Sequence, residues 1–212
     1  MILKSRINDN SYAWVKIPKT ATRSYSELVD NTIPHSHMPY DIITKKFGEH
    51  PCVTVVRDPY TRFVSSMRHF FGALNAQITH PHHLNHPIYS IPINNTTNFC
   101  NFFYKFYYKN CISFDPMVHH KIAYHNIQMY HPFFQTQTSM IRTAINPLVF
   151  KYENLSEFNT WIETELGIST ANLSHIGKIK NPTTFDIDLQ SDEVKTLTRY
   201  LFEEDYVRFN YV

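Results

Sequence analysis

Two short apolar runs, each ended near a proline and followed by a helical segment, constrain this chain more than any other feature. Tyr12-Ala13-Trp14-Val15-Lys16-Ile17 reads as a buried strand stopped by Pro18, and Arg23 to Val29 has the composition of a helix. Cys52-Val53-Thr54-Val55-Val56 is a β-branched run that ends at Asp58-Pro59, after which Tyr60 to Phe71 has helical periodicity. Between these units Tyr40 to Phe47 fits a short helix closed by Gly48. Strand, helix and strand in this order are the rhythm of a parallel sheet, and open sheets of this kind collect ligands at the carboxyl ends of their strands. The expected fold class is therefore α/β, a single domain over 1–212 with a central parallel sheet flanked by helices.

The remaining segments fit around that sheet. Leu148 to Tyr152 reads as a further strand, Leu155 to Leu166 as an amphipathic helix stopped by Gly167, and Asp192 to Phe202 as a closing helix. Aromatic-rich Phe99 to Tyr108 reads as a buried helix, whereas Gly72 to Asn98 carries Pro, His and Asn without periodicity and reads as a long, substrate-facing loop. No internal repeat or linker signal interrupts the chain.

Composition excludes several classes. A formal charge of +2 is too small for nucleic-acid binding by bulk electrostatics. Cys52, Cys100 and Cys111 are odd in number and unpaired in spacing, so no disulfide framework or thiolate zinc site is expected and a reducing compartment fits. Met1 to Asn10 is polar and no apolar run approaches the roughly 20 residues of a membrane span, so the sequence as it stands points to a cytoplasmic protein. Abundant Asn, Ile, Lys, Phe and Tyr suggest an AT-rich genome, viral or microbial. His80, His82, His83 and His86 form a second histidine cluster, but it lacks Cys and helical spacing, and no metal is expected there.

Chemistry concentrates at the two strand ends. In Pro18-Lys19-Thr20-Ala21-Thr22-Arg23-Ser24-Tyr25 a strand gives way to a helix, so backbone N–H groups converge on an anion at the positive end of the helix dipole. Small Thr20, Ala21 and Thr22 permit close approach, Thr22 and Ser24 add hydroxyl donors, and Lys19 adds a mobile charge. The bland alternative is a helix start capped by Thr20 or Thr22. At the second end, Arg57 leaves its strand where ligands collect and can grip a phosphate bidentately, with Ser65 two turns into the following helix. Here the bland alternative pairs Arg57 with a carboxylate such as Asp58 and leaves Arg62 as surface charge. Two anion sites on neighbouring strand ends suit one nucleotide with phosphates at both ribose positions.

Together the segments Pro18 to Ser24 and Arg57 to Ser65 resemble the 5'-phosphosulfate loop and 3'-phosphate motif of the carbohydrate sulfotransferases that use 3'-phosphoadenosine 5'-phosphosulfate (PAPS). The resemblance implies a P-loop-like sulfotransferase fold, PAPS as donor, 3'-phosphoadenosine 5'-phosphate (PAP) as product, and a carbohydrate acceptor. It implies that Lys19 touches the bridging oxygen of the donor, that Thr20, Ala21, Thr22, Arg23 and Ser24 hold the 5'-phosphate, and that Arg57 and Ser65 hold the 3'-phosphate. Arg23 stands where many relatives have Thr or Ser, although heparan sulfate 3-O-sulfotransferases have Arg.

His35-Ser36-His37-Met38-Pro39-Tyr40-Asp41 is similar to the His-x-His stretch of heparan sulfate 2-O-sulfotransferases, which makes His37 the candidate general base and His35 its supporting neighbour. Val149 to Leu155 and Asp205 to Tyr211 also look like family segments, and Lys178 and Lys180 resemble late-loop residues that close over the nucleotide in relatives, with an exposed basic turn as the alternative. Residues 72–134 match nothing in the family and are expected to choose the acceptor, with tyrosine left open beside sugar and oligomerisation undetermined. The relatives are Golgi membrane proteins, unlike this chain as it stands. Missing Gly-x-x-x-x-Gly-Lys-Ser/Thr argues against a magnesium-dependent kinase-like phosphoryl transferase. A noncatalytic nucleotide- or carbohydrate-binding protein on the same fold is the alternative from another class.

Overall fold

A computed structural model describes residues 1–29, 37–77, 95–110, 135–173 and 187–211. Their internal packing separates into two compact units: Met1–Asp58 with Thr136–Lys178 and Arg208–Tyr211, and Pro59–Gln135 with Ile179–Val207.

The first unit is built on a four-stranded sheet of β1 (Ile2–Lys4), β2 (Ser11–Val15), β3 (Cys52–Val56) and β4 (Leu148–Lys151), paired in chain order. β2, β3 and β4 run parallel, as the strand–helix rhythm predicts. The central parallel sheet carries one further strand at its edge, where β1 pairs antiparallel to β2. That strand lies in the polar amino-terminal stretch, where its three residues are too few to show a period.

Side-chain alternation on the parallel strands explains their apolar character, because both faces are covered. Trp14, Val53 and Val55 face one side, packed with Tyr25 of α1 (Thr22–Val29) and with Phe158, Ile162 and Leu166. Ala13, Val15, Cys52 and Val56 face the other, packed with Ile43 of α2 (Tyr40–Phe47), Met140, Ile141 and Phe209. Gly48 closes α2 at positive φ, its N–H donating to Thr44 O.

In the second unit, α3 (Pro59–Gln77) and α4 (Thr96–Asn110) precede α7 (Asp192–Leu201) and α8 (Glu203–Arg208). In the first unit, α5 (Gln137–Met140) precedes β4 and α6 (Leu155–Trp161) follows it, continuing as a π-turn over Ile162–Leu166 that ends at left-handed Gly167. A Cβ at Gly167 would meet Ile7 Cγ2 at 2.5 Å, which reserves the position for glycine. Periodicity places the end of α3 at Phe71 and the start of α4 at Phe99; both helices extend further, shortening the loop expected from Gly72 to Asn98. Residues 78–94 of that loop, including His80, His82, His83 and His86, lie outside the described residues.

The second unit's core is aromatic, with Phe63 against Phe103 at 5.5 Å and Phe202 at 6.1 Å, and Phe99 against Phe103 at 4.8 Å. Val194, Leu197, Thr198 and Leu201 form the buried stripe of α7, whose first turn is capped by Ser191 Oγ accepting from Val194 N. Arg62 is a correction: instead of surface charge it is 1% exposed, its guanidinium lies over the Phe202 ring and its Nη2 donates to Gln135 O at 2.6 Å.

Phe158 joins the aromatic face of the sheet, its ring centroid 4.8 Å from Tyr25, 5.1 Å from Phe150 and 5.8 Å from Trp161. Phe158→Ala is expected to cost about 3–5 kcal/mol of stability by leaving a cavity there. Urea unfolding reads this as a lowered midpoint at unchanged slope, and a loss under about 1 kcal/mol would mean that the ring does not carry this core.

Candidate functional site

Because β2 and β3 are parallel neighbours, with Val15 opposite Thr54 and Thr54 Oγ1 donating to Val15 O at 2.8 Å, the segments that follow them leave the sheet side by side. The chain after β2 turns at Lys19 with φ 68° and at Ala21 with φ 61°, while Thr20 between them keeps a negative φ. Left-handed backbone costs an L-residue roughly 1–2 kcal/mol, so two such residues in a row of three need the surrounding structure to impose them. Alternating φ signs turn successive peptide N–H groups toward one concavity, the form of an anion-binding nest.

The bland capped-helix reading does not describe this turn. Thr20 Oγ1 donates back to Ile17 O at 2.8 Å, and the residue just before α1 is Ala21, whose carbonyl accepts from Tyr25 N but whose side chain has no oxygen to cap with. Thr22 and Ser24 are buried in the first turn of α1. Arg23 faces solvent and pairs with Glu27 one turn on at 3.8 Å, so its charge sits on the outer side of the helix.

Lys19 is half-buried, and its ammonium pKa is pushed down to about 8, first by burial and then by the charge of Arg57. Arg57 ties the two strand exits together, its Nη1 donating to Lys19 O at 3.2 Å. Its guanidinium lies over the Tyr152 ring at 4.3 Å. Its backbone is clamped by Gln137: Arg57 N donates to Gln137 Oε1 and Gln137 Nε2 donates to Arg57 O, both at 2.8 Å. The next peptide N–H, of Asp58, donates to Glu153 Oε1, while Tyr211 OH donates to Glu153 Oε2 at 2.8 Å. Burial first, then the bond to Glu153, raises the Tyr211 pKa and keeps that hydroxyl protonated.

His37 reaches the same end of β2, with Nδ1 2.7 Å from Lys16 O. A carbonyl can only accept, so Nδ1 carries a proton in this contact.

Lys19, Thr20, Ala21, Thr22, Ser24, Arg57 and His37 thus belong to one unit. Ser65, half-buried on α3, belongs to the other. His35, Lys178 and Lys180 lie outside the described residues. Sequence reasoning missed Gln137, which sits in the polar run Gln135-Thr136-Gln137-Thr138-Ser139 with no signal to mark it, and it missed the roles of Tyr152, Glu153 and Tyr211. Among the described residues no cluster of three or more His, Cys, Asp or Glu could hold a metal, and no helix is long and apolar enough to cross a membrane. No family model matches the chain, and neither does any curated protein or solved structure.

Two predictions follow the loop's strain and charge. Ala21→Val is expected to destabilise by about 1–3 kcal/mol, because a β-branched side chain resists positive φ, whereas Ala21→Gly causes no loss; equal effects in urea unfolding would contradict the left-handed assignment. A lysine ordinarily keeps its proton to 10.5 and Lys19 gives it up near 8, so between these values Lys19 is more protonated in the unfolded chain and its own contribution to stability rises with pH. Lys19→Met should remove that rise, measured as the difference in unfolding free energy between about pH 8 and about pH 9.5.

Proposed function

We propose that this chain is a PAPS-dependent sulfotransferase that moves a sulfuryl group to a carbohydrate hydroxyl. The observation that carries the reading is the non-glycine left-handed turn at Lys19 and Ala21, joined through the Lys19 carbonyl to Arg57 at the neighbouring strand end. A strained nest beside two cations suits a fixed, multiply charged phosphate ligand. The resemblance of Pro18–Ser24 and Arg57–Ser65 to the two phosphate motifs names which ligand.

PAPS, when bound, supplies an activated sulfuryl group and a phosphate leaving group. The 5'-phosphate is assigned to the loop N–H groups and to the Thr22 and Ser24 hydroxyls, and the 3'-phosphate to Arg57. Ser65, Arg23, Lys178 and Lys180 enter by the resemblance alone, as does His35 beside the base. Lys19 offsets negative charge that gathers on the departing phosphate oxygen, which speeds transfer by stabilising the transition state more than the ground state. His37 takes the acceptor's proton, and its Nδ1 contact with Lys16 O would stabilise the imidazolium that forms. Alignment of acceptor, base and leaving group contributes the remainder by proximity.

Calorimetric titration with PAP in the absence of magnesium tests the reading. Wild type is expected to bind, Arg57→Ala to bind at least about tenfold more weakly, corresponding to loss of a charge-assisted bond. Affinity should fall as pH rises through about 8, where Lys19 loses its charge. His37→Ala is expected to retain PAP affinity while losing about 100-fold or more in turnover with a carbohydrate acceptor. A folded wild type that does not bind PAP would overturn the proposal, and PAP binding without turnover on sugars or tyrosine would leave a noncatalytic binder.

A further inference from the structure

Gln137 is a fully buried amide that bonds both backbone groups of one residue at the candidate site, donating to Arg57 O and accepting from Arg57 N at 2.8 Å each. β3 ends at Val56, whose strand partner is Lys151, so the ladder stops one residue before Arg57. A side-chain amide has the same donor and acceptor as a backbone peptide, and Gln137 continues the ladder where no strand residue does. It is itself held by α5, whose first turn is capped by Thr136 Oγ1 accepting from Ser139 N at 3.1 Å. Arg57 is thereby oriented on three sides: its backbone by Gln137, its guanidinium face by Tyr152, and its Nη1 by the Lys19 carbonyl.

We infer that Gln137 is a positioning residue for anion binding, acting through Arg57 by setting the direction in which the arginine leaves β3. The inference rests on the reading of the strand ends as a phosphate site. Loss of the clamp lets the Arg57 backbone rotate, and bidentate recognition of a phosphate depends on guanidinium direction more than on charge alone. Gln137 gains no contact with the ligand in this account; its effect passes entirely through another side chain.

A double-mutant cycle tests it, with Gln137→Met, Arg57→Ala and the double variant titrated with PAP and, in parallel, with inorganic pyrophosphate. Gln137→Met preserves volume and removes both bonds. It is expected to weaken binding by about tenfold or more in the wild-type background and by less than about twofold in the Arg57→Ala background. In turnover assays the loss should appear in KM for PAPS more than in kcat, since the proton and leaving-group chemistry belongs to His37 and Lys19. Gln137→Glu, which keeps the acceptor for Arg57 N–H but not the donor to Arg57 O, serves should Gln137→Met fail to fold, and it is expected to show the same background dependence. Equal losses in both backgrounds would overturn the positioning role and leave Gln137 structural. If wild type binds pyrophosphate but not PAP, the donor assignment fails while the cycle is still read with pyrophosphate. Binding of neither overturns both.

Discussion

Parallel pairing of β2 with β3, with Val15 opposite Thr54, sends the chain out of both strands at the same edge of the sheet, and the candidate site depends on it. Residues 38 apart in sequence meet there, Arg57 donating to the carbonyl of Lys19. An antiparallel pairing would have put these exits at opposite edges. The parallel arrangement requires a crossover between the strands and apolar cover on both faces, and Tyr25 and Ile43 supply that cover from α1 and α2. Core and site are thus two consequences of one topology.

The site stores unfavourable terms that the core offsets. Lys19 and Ala21 hold left-handed backbone without being glycine, and Lys19 sits near Arg57 under partial burial, which lowers its pKa to about 8. Both features cost more than an ordinary turn does. An anion relieves the second directly, because its charge offsets the repulsion between the two cations. At the same strand end Gln137 bonds the Arg57 backbone and the Tyr152 ring lies against its guanidinium.

Much of the fold was legible in advance because its signals are local. α2 ends at Gly48, β3 spans Cys52–Val56, and the helix after β4 stops at Gly167, all as periodicity and helix-stop residues predict. β1 was not legible, because three residues at an edge leave no period, nor was the burial of Arg62, which depends on packing against Phe202. Within the site, Lys19 and Arg57 could be picked out from their positions after strands. Gln137 could not, since its role lies in bonds to a peptide 80 residues earlier and its own neighbours are ordinary polar residues.

Sequence alone therefore determined the main strands and helices and the two basic strand ends, because apolar period, proline and glycine placement and residue chemistry are properties of a few adjacent residues; the candidate base came from a family resemblance. Tertiary structure decided which strand is antiparallel, that His37 is held through Nδ1 by Lys16 O, that Thr20 turns inward to Ile17 O, and that Arg57 is clamped by Gln137 and stacked on Tyr152. Those outcomes are hydrogen bonds and ring contacts whose partners mostly lie far apart in the chain. Their geometry exists only once the sheet has brought the partners together, and for that reason no local pattern encodes them.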